Sequence, residues 1–371
     1  MKTARTARTA LALLAAGLVA AGLVAAAGGC TRLDAGEGGG GDGGAAATDR
    51  GPAAELRLGY LPNVTHAAAL IGVRNGLFAA ELGTATRLTT QAFNDGTEEV
   101  GALLGGSLDI AFVGPGPAIN AFDKSGGKAV RLIAGATSGG AQLVARPGIS
   151  TAEQLRGRTV ATPKLGNTQD IALKAWLAGR GIPARGGAAG VTIVNADNPQ
   201  TFAAFRAGEL DAAWLPEPWA SRLVLDAGAT VLVDEGDLWP DGRYPTTVVL
   251  ARTGFLREHP QTVLAFLRGQ LAAVEWAAQH PAGARQAVNA ALAELTGKPL
   301  ADPVIARAFD GITLTADPLA GAFPRLAANA VTAGVARAAP DLAGFADLGA
   351  LNAVLGAAGR PAVDAAGLDT R

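Results

Sequence analysis

Asn63, Thr65 and His66 lie close together in the segment Gly59-Tyr60-Leu61-Pro62-Asn63-Val64-Thr65-His66, after a β-type run and before a helical one. Their amide, hydroxyl and imidazole groups offer hydrogen bonds without obligatory charge. At a strand-to-helix turn they stand beside the unpaired N–H groups and positive dipole end of the coming helix, a setting that attracts an anion. Asn63 or Thr65 could equally be a helix cap, although a histidine in the same turn is more than a cap requires.

Other turns repeat the theme. In Gly114-Pro115-Gly116-Pro117 the prolines fix φ and remove N–H donors, while the glycines let backbone approach a ligand; a purely structural turn would have the same composition. Gly139 and Gly140, within Ser138-Gly139-Gly140-Ala141, form a ligand-facing bend or a plain one. Asn167 and Asp170 have the spacing of a capping box, which would leave the N–H groups of Thr168 and Gln169 for an anion. Lys164, the one cation of these turns, reads as solvent-exposed. In Trp214-Leu215-Pro216-Glu217-Pro218-Trp219 two tryptophans flank a carboxylate held between prolines. They make either an apolar wall, with Glu217 meeting a ligand cation or donor, or core tryptophans beside a surface glutamate.

Nothing in these turns assembles a nucleophile, a base and an orienting group. G-x-S-x-G, H-E-x-x-H, a P-loop and a helix-opening G-x-G-x-x-G are absent from the sequence. His259 and His280 each precede a proline at a helix boundary. A single Cys excludes an intramolecular disulfide framework and a cysteine cluster, and 3 His leave little material for a histidine-built zinc centre. The expectation is binding with no catalytic residue, no metal and no cofactor.

The elements that position these turns alternate. Strand patterns over 56–61, 86–93, 108–113 and 130–134 are separated by helical patterns over 67–82, 97–105 and 117–124. The rhythm restarts with strands over 159–162, 191–195, 210–214 and 230–233 and helices between them, which predicts two α/β units with parallel sheets. Residues 142–145 and 246–251 read as paired hinge strands, and the helical pattern after 252 packs on the first unit. The predicted fold is α/β: lobe 1 over 53–141 and 252–371, and lobe 2 with the hinge strands over 142–251. One large doubly wound sheet is the alternative.

At the N-terminus, Lys2, Arg5 and Arg8 precede an apolar run ending in Ala27, Gly28, Gly29 and Cys30. This is the pattern of a secretory signal over 1–29, and Cys30 stands where the lipobox of bacterial lipoproteins has its lipidated cysteine, with Ala27 in place of the usual Leu. An uncleaved anchor or a plain secreted protein would share much of the pattern. Residues 30–52, with Gly38 to Gly41 among small and acidic residues, read as a flexible tether. Lys+Arg 31 against Asp+Glu 32 gives a net charge of -1, which removes the basic field that nucleic-acid binding requires.

The segments GYLPNVTHAAAL, LDIAFVGPGPAIN, TPKLGNTQDIALKAWL and DAAWLPEPWA, in this order behind a lipobox-like cysteine, resemble the solute-binding proteins of ABC importers in the nitrate, sulfonate and taurine group. The resemblance implies a periplasmic-binding-protein fold, two lobes closing on a solute, and delivery to a membrane permease. It implies ligand contacts by Asn63, Thr65, His66, Gly114, Pro115, Gly116, Gly139, Gly140, Asn167, Thr168, Trp214 and Glu217. An unpaired Glu217 would oppose a plain anion; an amine-bearing sulfonate such as taurine would ease the conflict. The resulting expectation is a monomeric, lipid-anchored extracytoplasmic protein for an alkanesulfonate or taurine rather than nitrate or bicarbonate. An enzyme of the same fold acting on a pyrimidine or menaquinone precursor, or a ligand-sensing module, are the alternatives.

Overall fold

Strands buried on both faces, as in β-runs Ile110–Val113 and Ala212–Pro216, form the centres of two separate sheets. The structure is a computed structural model that describes residues 49–369; the expected signal segment, Cys30 and the tether up to residue 48 lie outside the described residues. Strands β1 (Glu55–Tyr60), β2 (Arg87–Ala92) and β3 (Ile110–Val113) alternate with α1 (Ala67–Arg74), α2 (Leu77–Leu82), α3 (Gly96–Leu104) and α4 (Pro115–Lys124). β1 pairs in parallel with both β2 and β3. The helix expected over 67–82 is two helices, because the chain turns at Gly76 in a left-handed conformation, φ 69, that glycine adopts without a Cβ penalty.

After α4 the chain runs through β4 (Val130–Gly139), passes Gly140 and enters β5 (Ala141–Ala145). β6 (Thr159–Thr162), α5 (Thr168–Ala178), β7 (Thr192–Asn195), α6 (Asn198–Ala207), β8 (Ala212–Pro216), α7 (Trp219–Ala227) and β9 (Thr230–Asp234) follow. The remainder is β10 (Pro245–Arg252), α8 (Thr253–Glu258), α9 (Pro260–Gln279), α10 (Pro281–Thr296), α11 (Asp302–Asp310), β11 (Ile312–Leu314), α12 (Phe323–Thr332) and α13 (Gly349–Ala357). The first sheet has the order β11-β4-β10-β3-β1-β2 and the second β7-β6-β8-β5-β9. Two α/β lobes are thus present.

The sheets are mixed rather than parallel. β10 runs antiparallel to β3 and β4, and β5 antiparallel to β8 and β9, because neither is reached through a helical crossover. β10 also lies inside the first sheet. The return from the second lobe therefore occupies residues 235–244 instead of ending at 251. Gly139 and Gly140, at φ 80 and 81, make the outward crossing.

Each lobe has its own apolar packing. In the first, α9 lays Phe266 against Phe78 of α2, ring centroids 5.0 Å apart and nearly parallel, with Phe112 of β3 beside them. Truncating such a buried ring to Ala costs about 3–5 kcal/mol. In the second, successive residues of β5 and β8 point to opposite faces: Leu143 and Trp214 enter one core, Val144 and Leu215 the other.

Candidate functional site

The first turn of α5 decides the chemistry. Asn167 is its N-cap in extended conformation, yet its side chain makes no capping bond. The capping box expected from Asn167 and Asp170 does not form: the Asp170 carboxylate turns back to Thr162 Oγ1, the Gly166 N–H, Asn195 Nδ2 and Lys174 Nζ. Among the described residues, the N–H groups of Thr168 and Gln169 have no acceptor outside the helix, and first-turn amides have none within it. They face a cavity of about 40 Å³ lined by Thr168, Gln169 and Asn167 from the second lobe and by Asn63, Thr65, His66 and Gly114 from the first. A water needs about 10–15 Å³ on this scale, so the space takes roughly three water-sized groups.

His66 and Thr65 complete the donor set. His66 Nδ1 accepts from the Leu61 N–H at 3.2 Å, which puts the imidazole proton on Nε2. Burial holds the His66 pKa down at about 3, so it donates as a neutral ring. Thr137 Oγ1 donates to the Thr65 carbonyl at 2.6 Å and fixes that turn. Among the described residues neither Thr65 Oγ1 nor His66 Nε2 has a protein partner. No Asp, Glu, Lys or Arg lines the cavity. Neutral donors converging on a helix N-terminus suit an oxyanion.

The lobes touch around this space. Thr97 Oγ1 donates to Asn167 Oδ1 at 3.2 Å, Gly116 N–H to Thr168 Oγ1 at 3.2 Å, and Trp219 Nε1 to Asn63 Oδ1 at 3.0 Å. Lys164 is not a free surface cation: its Nζ lies 3.1 Å from Asp95 Oδ2 on the other lobe, a pairing that raises its pKa. A Cβ on Gly114 would lie 2.7 Å from Thr168 Oγ1, and one on Gly116 3.0 Å from Thr168 N. The glycines are there for this approach. With Pro115 and Pro117 lacking N–H groups, the one early donor of α4, on Gly116, is spent on Thr168; Pro115 and Gly116 seat the opposite lobe and do not line the cavity.

Four other expected residues sit elsewhere. Gly139 and Gly140 shape the crossing, where Gly140 accepts from the Glu217 N–H at 2.8 Å. Trp214 is fully buried in the second core and donates from Nε1 to Glu235 at 2.9 Å, so it forms no wall. Glu217, 1% exposed, accepts from the Ser221 N–H at the start of α7 and lies 3.2 Å from Arg307 Nη1 of α11. Burial pushes its carboxyl up while Ser221 and Arg307 pull it back. It is therefore paired and away from the cavity, and the conflict with a plain anion disappears. Arg307, 90 positions distant from Glu217, carries no sequence signal for this role. Gly96, Pro216 and Thr246 also line the cavity; for Gly96 the cue was Asp95, which caps Thr97 and Glu98.

The profile of the NMT1-like family matches residues 49–293. The chain belongs to the NMT1-like family. Within this family setting, it is 29% identical over 240 residues to the taurine-binding periplasmic protein of Escherichia coli, covering 63% of this chain and 71% of that one. The alkanesulfonate-binding protein SsuA of Xanthomonas axonopodis, solved with MOPS, superimposes with a TM-score of 0.63 at 22% identity, over 78% of this chain and 95% of that one. The nitrate-binding protein NrtA of Synechocystis does so with a TM-score of 0.63 at 15% identity, over 76% and 84%. These likenesses place the NMT1-like chain among two-lobed solute-binding folds, and the three proteins just described are named as binding proteins. Among the described residues no cluster of three or more His, Cys, Asp or Glu could hold a metal, and no helix is long and apolar enough to cross a membrane.

Proposed function

We propose that this protein is the extracytoplasmic solute-binding component of an ABC importer and takes a sulfonate-like organic anion between its lobes. One observation carries the reading: a small, charge-free cavity where the uncapped amides of Thr168 and Gln169 meet Thr65 Oγ1 and His66 Nε2. A sulfonate stays ionised at any physiological pH and accepts from several directions, so neutral donors at a helix N-terminus match it without a countercharge. The relationship to a taurine-binding protein supports the same class. Lobe closure then supplies the signal that a permease reads.

Ligand-induced thermal stabilisation tests this. Ethanesulfonate or taurine at a hundredfold excess over Kd should add about 2.7 kcal/mol to native stability, with nitrate and bicarbonate giving less. No shift with any sulfonate contradicts the assignment. Lipid anchoring rests on Cys30 and the preceding apolar run; palmitate incorporation lost in Cys30→Ala supports it, and retained incorporation rejects it.

A further inference from the structure

We infer that the solute carries an uncharged apolar body, larger than the two-carbon chain of taurine, that projects from the oxyanion cavity into a separate cleft between the lobes. The inference rests on the sulfonate reading and names its substrate class more narrowly. The cleft has a volume of about 840 Å³, against about 40 Å³ for the cavity. Asn63 lines both. The hydrogen bond from Trp219 Nε1 to Asn63 Oδ1 stands at their boundary, one residue from each lobe. A head group seated on the α5 amides fills the cavity, and Asn63, which the cavity shares with the cleft, marks the side on which an attached body leaves it.

The chemistry of the cleft selects what passes. Trp219, Leu292, Leu295 and Val304 give it apolar wall, and Leu295 keeps 41% exposure there. The charged lining residues are Arg222, Lys298, Asp197 and Asp226, two of each sign. They balance, and the Arg222 guanidinium is stacked over the rings of Phe202 and Trp219, 4.2 and 4.6 Å from their centroids, which stiffens Trp219 as a wall. Glu217, the carboxylate that would receive an ammonium, is committed to Arg307. The cleft lining has no net charge and the cavity holds no carboxylate, so an ammonium two carbons from the sulfonate has no partner beside the head group.

Calorimetric titration of the protein with ethane-, butane- and hexanesulfonate and with taurine tests the inference. Affinity should rise about threefold to fourfold per added methylene, the factor that about 0.8 kcal/mol per buried CH₂ corresponds to, and taurine should bind no more tightly than ethanesulfonate. Leu295→Asp, at an exposed position that tolerates substitution, should reduce the gain per methylene at least twofold. Ethanesulfonate binding with affinity flat or falling along the series overturns the inference and leaves the sulfonate reading intact, as does taurine binding tenfold more tightly than butanesulfonate. Failure of every sulfonate to bind overturns both.

Discussion

Arg307, on a helix of the C-terminal region, holds the buried Glu217 carboxylate of the second lobe at 3.2 Å and also donates to Ser221 Oγ at 2.8 Å and Gln142 Oε1 at 2.7 Å. One guanidinium thus joins three residues across the lobes, beside the crossing at Gly140. Coulombic attraction alone would be modest for a side chain that keeps 26% exposure, but Glu217 has no access to water that could replace it.

Arg307→Ala should therefore lower stability by about 3 kcal/mol, the low end for breaking a buried pair, as measured by urea unfolding. Adding Glu217→Gln should recover most of that loss, because the amide needs no counter-ion. Glu217→Gln alone should leave the relative affinities for taurine and ethanesulfonate within about twofold, since the carboxylate does not line the cavity. A loss that the second substitution does not repair would remove the charge pair as its cause.

His66 gives a pH dependence of opposite sign to Glu235. Burial lowers the folded pKa of His66 to about 3 from an ordinary 6.5, so between these values the unfolded chain binds the extra proton and stability falls with falling pH. The loss at pH 5 relative to pH 8 is about 2 kcal/mol and should vanish in His66→Gln. Burial raises Glu235 to about 7 against the pull of the Trp214 indole, so there the folded state binds the proton and stability falls as pH rises from 4.5 to 7. Glu235→Gln should gain about 2–3 kcal/mol relative to wild type between pH 5 and pH 8. Chemical denaturation of each variant at both pH values separates the two.

Because His66 remains neutral, ethanesulfonate affinity should be constant within about twofold from pH 5 to pH 8. Tenfold tightening at acid pH, read by calorimetry, would mean that an imidazolium forms in the site.

Gly116→Ala places a methyl group 3.0 Å from the Thr168 amide across the cleft. Each lobe keeps its fold, since Gly116 sits in the first turn of a helix and alanine suits that backbone. Sulfonate affinity should drop at least tenfold with the unfolding midpoint of the free protein shifted by less than about 3 °C. Equal losses in both would make the position structural.

Much of this was legible in the sequence. Strand and helix alternation revealed both lobes, and the turns at Asn63 to His66, Gly114 and Asn167 to Thr168 come together on one cavity because each follows a strand whose carboxyl end faces the cleft. Trp214 and Glu217 were misleading for a physical reason. They neighbour Pro216 and Trp219, which do line inter-lobe space, but both faces of β8 are covered by core, so Trp214 is buried whichever way the pleat turns it, and the strand meets the cavity at its carboxyl end, Pro216. Arg307 was invisible because its partner depends on how the C-terminal helices pack against the second lobe, a long-range relation without local pattern. The capping box failed because Asp170 found four better donors in its own lobe.

The most direct measurement is the amide ¹H–¹⁵N spectrum of the protein titrated with ethanesulfonate, with the resonances of Thr168 and Gln169 assigned. Capture of an oxyanion by the first turn of α5 predicts that both amides shift downfield together and saturate with the calorimetric Kd. Saturation of binding with both resonances unmoved would mean that the anion is held somewhere else.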